Sequence, residues 1–167
     1  ALQFRRYQGA QIFAFDFGGS MRAATLGMGG DWHDLGGGLT DDNSEFPAVS
    51  LQPLSRIDDP DERKWASEWL GQILVAEGVT LTPDVKAYLW SALNSLASSP
   101  QQERTLSGLV DLLQSNALKQ ALAPYCLGGP YGRLLDADAE RLGEADGVDF
   151  ENEGLIGSEA ASLGLPD

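Results

Sequence analysis

The sequence is poor in the residues that most often carry chemistry. It has one cysteine, Cys126, so no internal disulfide can form and nothing calls for an oxidising compartment. It has one histidine, His33, with no second His or Cys at ligand spacing, which leaves neither a catalytic triad nor a Cys/His metal site. No Gly-Lys dipeptide occurs anywhere, so the phosphate-cradling loop GxxxxGK[ST] is missing. The dinucleotide fingerprint fails as well, because Trp32 stands where the third glycine after Gly27 and Gly29 is required. A GxSxG elbow and an apolar strand ending in Asp-Glu are also absent. No apolar run approaches the roughly 18 residues of a membrane span. The opening ALQFRRYQGA has neither a leading Met nor the apolar stretch of a signal peptide, and it reads as the interior of a longer chain.

Basic residues are scarce too. Twenty-five acidic side chains face 11 basic ones over 167 residues, a net charge of -14. Such a surface repels phosphate backbones and anionic lipid, and it suits either a basic protein partner or simply staying in solution. The length allows one sizeable core, or a small core with a subdomain.

The stretch 11–20, QIFAFDFGGS, organises what is present. Ile12, Phe13, Ala14 and Phe15 make both alternating faces apolar, so a strand covered on both sides is expected, as in a parallel α/β sheet. Asp16 ends the run, and Gly18, Gly19 and Ser20 supply a tight turn and a helix N-cap. Ligands of open parallel sheets sit at the carboxyl ends of strands, so Asp16 reads either as a group close to chemistry or as a cap of the turn. A short helix through Leu26 and a second strand, DWHDL, follow. His33 reads as a surface or packing residue. GGGLTDDNSEF, at 36–46, is loop, and its Asp41-Asp42 pair lacks the alternating acids of a calcium loop. Residues 47–54 allow a strand ending near Gln52.

From Asp58 the texture is helical. Asp59-Pro60 with Glu62 starts one helix in a capping-box arrangement, and Trp65, Ala66, Trp69, Leu70, Ile73 and Leu74 form its apolar stripe. The Trp65/Trp69 pair reads as core packing. Thr82-Pro83, Thr105 and Ser115 start three more helices, so 59–125 is expected to be a small four-helix unit with antiparallel neighbours. Cys126 reads as a small buried hydrophobe near a helix end. GGPYGR at 128–133 is a glycine turn presenting Arg133, suited either to phosphate or carboxylate recognition or to an ion pair with a neighbouring acid. From Asp136 acids crowd the chain as a solvated run, with one edge strand allowed at 148–155 and a loose end at 157–167. The organisation expected is 1–57 and 127–167 as parts of an α/β frame around a helical insert, 58–126.

The ordered segments QIFAFDFGGSMRAATLGMGGDWHDLGG, LQPLSRIDDPDERKWASEWL, SALNSLASSPQQERTLSGLVDLLQ, GGPYGRLLDADAERLG and FENEGL resemble the conjugal-transfer ATPases of the TrbE/CagE type, the motors of type IV secretion systems. The resemblance runs collinearly from residue 1 to about 157. It implies a partial RecA-like P-loop motor domain with an inserted helical subdomain, lying between the Walker A and Walker B motifs. It also implies ATP with magnesium in the longer parent but no cofactor for this piece alone, a hexameric ring, other secretion components as partners, and a place at the cytoplasmic face of the bacterial inner membrane. By motif position, Asp16 and Ser20 in DFGGS and Gln52 in LQPL become nucleotide-proximal, and Arg133 becomes a phosphate-stabilising arginine contributed across a subunit interface. Phe17 stands where the family often has lysine, and 158–167 departs from the family's continuation. The alternative function class is a non-enzymatic acidic helical module that docks other secretion components.

Overall fold

A computed structural model describes residues 7, 10–35, 49–140 and 147–151. They divide into two compact units. One holds the described residues before Ser50 together with 147–151; the other spans Ser50–Glu140.

The first unit is a three-stranded parallel sheet. Strand β1 (Ile12–Asp16) leads through helix α1 (Arg22–Gly27) to β2 (Asp31–Asp34), and β3 (Gly147–Glu151) pairs in parallel with both, giving the order β1-β3-β2. The segment expected as an edge strand is therefore central among the described strands. Pairing sets the place: both of its edges carry a ladder, and Val148, Asp149 and Glu151 are buried. In register, Asp16 and Asp34 both align with Glu151, and Ala14 and Trp32 with Asp149. Aligned residues share a face.

On the face carrying Asp149, α1 packs down: Thr25 Oγ1 donates to Asp149 and the Arg22 guanidinium lies 4.8 Å over the Trp32 ring. On the other face Phe15 stacks on Phe150 and Phe150 on His33, at 5.4 and 5.9 Å. Phe13 and Phe15 there are 58% and 62% exposed. The expectation of a strand covered on both sides thus holds on one side only among the described residues. His33 is a packing residue, buried in the aromatic row.

The second unit is helical: α2 (Pro60–Ala76), α3 (Pro83–Leu96), α4 (Leu106–Leu112), α5 (Asn116–Leu122) and a single turn, α6 (Gly132–Leu135). Helix α2 packs on α3, α3 on α4, α4 on α5, and α5 back on α2. Arg63 near the start of α2 donates to Asn94 near the end of α3 at 2.6 Å, which makes that pair antiparallel. The core is leucine-rich, with Leu70, Leu74, Leu93, Leu106, Leu109 and Leu122 fully buried. Each such side chain contributes about 1.5–3 kcal/mol through burial.

Three caps act as their sequence positions predict. Asp59 accepts from the Asp61 and Glu62 amides, Thr82 from Val85, and Thr105 from Gly108. Ser115 makes no side-chain cap bond, and Glu62 turns to Arg56 at 3.3 Å rather than back to the cap. The strand expected at 47–54 does not form over the described residues 49–54. Only a bridge at Ser50 occurs, and Leu51 exchanges backbone bonds with Leu134 and Ala137 instead. Trp65, assigned to the buried stripe, is 49% exposed, while Trp69 packs against the core. The loop expected at 36–46, with its Asp41-Asp42 pair, and the loose end expected at 157–167 lie outside the described residues.

Candidate functional site

The carboxyl ends of the three strands bring Asp16, Asp34 and Glu151 side by side, with Asp149 one pleat below. The turn after β1 is built around two of these acids. Asp16 accepts from the Ser20 hydroxyl at 2.7 Å and the Met21 amide at 2.6 Å. Glu151 accepts from the Gly18 amide at 3.1 Å and from the Gly19 amide. Gly18 and Gly19 have φ of 89° and 65°, a left-handed pair that only glycine adopts without strain and that turns both amides toward one carboxylate. Asp16 therefore caps its turn, as one of its two sequence readings holds. Ser20 serves that carboxylate rather than capping α1, whose N-cap residue is Met21.

These contacts set the electrostatics. The Met21 amide, and then the Ser20 hydroxyl, hold the Asp16 carboxyl below its ordinary value. Asp149 goes the other way. Burial first, then the Asp16 charge, with Glu151 adding to it, raises its carboxyl above the ordinary 3.8 against the opposing bond from Thr25. Its Oδ2 takes that bond at 3.4 Å, and its Oδ1 has no partner among the described residues.

A raised carboxyl binds its proton more readily folded than unfolded. Its contribution to stability is thus greatest at low pH and falls as pH climbs from 3.8 through the raised folded value. Asp149→Asn is accordingly expected to raise the melting temperature at pH 7, with the gain shrinking toward pH 4. Melting curves across that range check it, and a loss of stability at pH 7 would refute the assignment.

Among the described residues no group of three or more His, Cys, Asp or Glu side chains is placed to hold a metal ion. The amides of Gly18 and Gly19 are already engaged by Glu151, so the turn offers carboxylate oxygens rather than free amides. Such an end can orient water or a hydrated cation; it does not cradle bare phosphate.

The other two sequence candidates belong to the helical unit. Gln52 is buried, and its amide donates to the Gln101 carbonyl at 2.5 Å and the Arg104 carbonyl at 3.4 Å, tying the 101–104 turn to the chain before α2. Arg133 is exposed on α6. The structure thus joins Asp16 to Ser20 and sets Gln52 and Arg133 in a different unit.

The residues that hold Arg133 in place went unread in the sequence. Asp136, buried at the end of GRLLD, accepts from the Ser107 amide and hydroxyl and from the Leu127 amide. It thereby fastens α6 to the start of α4. Cys126 beside it is buried, as expected, and donates to the Leu122 carbonyl. Burial, with the Asp136 charge next, pushes its thiol up to about 11. Asp149 and Glu151 were also missed. Their signal was the two-residue alternation of VDFE inside what read as a run of solvated acids.

No protein-family model matches the chain. By sequence it is 40% identical over 156 residues to the conjugal transfer protein TrbE of Rhizobium radiobacter, covering 93% of this chain and 19% of that protein. It is also 40% identical over 157 residues to the second portion of a probable conjugal transfer protein TrbE of Sinorhizobium fredii, covering 93% of this chain and 23% of the relative. This chain thus spans about a fifth of the length of these relatives. Its fold matches VirB4 of Thermoanaerobacter pseudethanolicus with a TM-score of 0.62 at 16% identity, over 94% of this chain and 46% of that one.

Proposed function

We propose, from the premise that this chain is homologous to a segment of the TrbE conjugal transfer proteins, that it is the stretch of an ATP-driven type IV secretion motor lying between the two nucleotide-binding motifs. The observation that supports the reading best is the acid-lined carboxyl end of the parallel sheet, where α/β folds bind their ligands. The phosphate loop and the Asp-Glu strand that the sequence lacks would come from the flanking chain. ATP with magnesium would be held there, and that pair would supply the phosphoryl-transfer chemistry that drives export.

This segment's own residues would then do two things. Glu151 fixes the Gly18–Gly19 amides and Asp16 the Ser20–Met21 step after them, and these carboxylates at the strand ends would order water of a cation's hydration shell. Arg133, exposed on a short helix, has the chemistry to reach a neighbouring subunit's nucleotide in a ring and stabilise charge on the transferring phosphoryl group. The piece by itself carries no complete catalytic set, so turnover belongs to the longer protein in a ring at the cytoplasmic membrane face. Among the described residues no helix is long and apolar enough to cross a membrane.

In the full-length protein, Arg133→Ala is expected to lower ATP turnover by about a thousandfold while leaving nucleotide affinity unchanged. Steady-state hydrolysis alongside equilibrium binding of a fluorescent ATP analogue separates the two quantities. Ordinary turnover in that variant would remove Arg133 from the mechanism.

A further inference from the structure

On α2, Trp65 and Trp69 stack with their ring centroids 5.6 Å apart and their planes within 5°. Trp69 rests on the helical core, whereas Trp65 is 49% exposed. The core thus braces an indole platform that faces outward. A helix turns by about 100° per residue, which puts Asp61, Glu62, Glu68 and Gln72 within roughly 60° of Trp65 around the helix.

The cations of this segment are otherwise engaged or turned away. Arg63 donates to the Ile57 and Asp58 carbonyls and to Asn94, beneath the helix start. Lys64 lies about a quarter-turn off the Trp65 stripe. Arg56 pairs with Glu62. Asp61 and Glu68 stay as carboxylates flanking an exposed indole, in a chain of net charge -14.

We infer that this face docks a basic segment of another protein, with an arginine laid over Trp65 and its guanidinium paired to Glu68 and Asp61. Three properties converge on that occupant. An indole face is the strongest side-chain platform for a cation, and braced aromatic side chains are the usual anchors of interfaces. Arginine suits the site better than lysine because its planar fork stacks on the ring while bonding a carboxylate. The surrounding acids repel nucleic acid and anionic membrane but draw a basic protein in by long-range attraction. The inference stands independently of the nucleotide reading, since it rests on α2 alone.

The test uses the 167-residue chain and an oligo-arginine peptide, with oligo-lysine of equal length as comparison. Affinity is measured by calorimetry, and contact with tryptophan by fluorescence quenching. The arginine peptide should bind more tightly than the lysine peptide. Trp65→Ala should weaken it by about fivefold. Trp90→Ala, which removes an exposed indole on α3, should leave it unchanged. Glu68→Gln keeps the helix surface intact and should weaken binding by about threefold, so the question is answered even if removing Trp65 disturbs folding. Equal affinity for wild type and both α2 variants, or an equal loss in Trp90→Ala, would overturn the inference.

Discussion

Gly132→Ala is expected to cost the helical unit about 3 kcal/mol or more, and to abolish its cooperative unfolding if the turn cannot shift. A Cβ at Gly132 would lie inside the van der Waals shell of the Cys126 carbonyl and 2.8 Å from the Leu127 amide nitrogen. Both obstacles are backbone, so no side chain can swing aside. The approach is fixed by the bonds that close the turn, Gly129 N to Cys126 O at 2.8 Å, Tyr131 N to Pro124 O at 3.0 Å and Asp136 N to Gly132 O at 2.9 Å. Gly132 is needed for closeness rather than for an unusual φ. Urea unfolding followed by circular dichroism reads the effect. A variant as stable as the parent would mean that the 126–132 turn is not packed this way.

The second large effect is expected from Asp136→Ala. This buried carboxylate satisfies the Ser107 amide, the Ser107 hydroxyl and the Leu127 amide. Removing it strands these donors, at about 1–3 kcal/mol for each one that water cannot reach. A total loss of about 4 kcal/mol follows, and Asp136→Asn should recover little of it, because the amide nitrogen would face donors. Arg133→Ala, three residues away and exposed, should change stability by less than about 0.5 kcal/mol. Equilibrium denaturation of the three variants side by side tests the ranking. Comparable losses in Arg133→Ala and Asp136→Ala would contradict it. The contrast gives the GRLLD turn a division of labour: Gly132 and Asp136 fix the short helix, and Arg133 is what it presents.

How much of this was legible in the sequence depended on whether the controlling interaction was local. The caps at Asp59, Thr82 and Thr105 were readable because a side chain bonds an amide two or three residues on. The strand QIFAFD and the short helix after it were readable from an apolar run ended by glycines. Long-range pairings were not. Nothing in VDFE alone says that it lies between β1 and β2, because that follows from ladders with segments more than a hundred residues away. Glu151, which clamps Gly18 and Gly19, was hidden for the same reason.

Exposure was the other weak point. Trp65 falls on the apolar stripe by spacing, yet half of it faces solvent, because the stripe is wider than the surface its neighbours cover. Phe13 and Phe15 are exposed although their strand is apolar on both faces. At the candidate site, Asp16 was readable as a cap of its turn, and the bonds it accepts from Ser20 and Met21 agree with that reading, whereas Ser20, read as a helix N-cap, bonds Asp16 instead. Gln52 sits among backbone carbonyls that no local pattern announces.

The central claim is that the strand ends around Asp16 and Glu151 belong to the nucleotide site of a longer motor. Hydrogen exchange in the full-length protein, with and without ATP and magnesium, addresses it most directly. Slower exchange on nucleotide addition at the amides of residues 17–21, and in the peptide containing Glu151, is the predicted result. Protection that appears elsewhere in the protein while these amides exchange at their unliganded rate would contradict it.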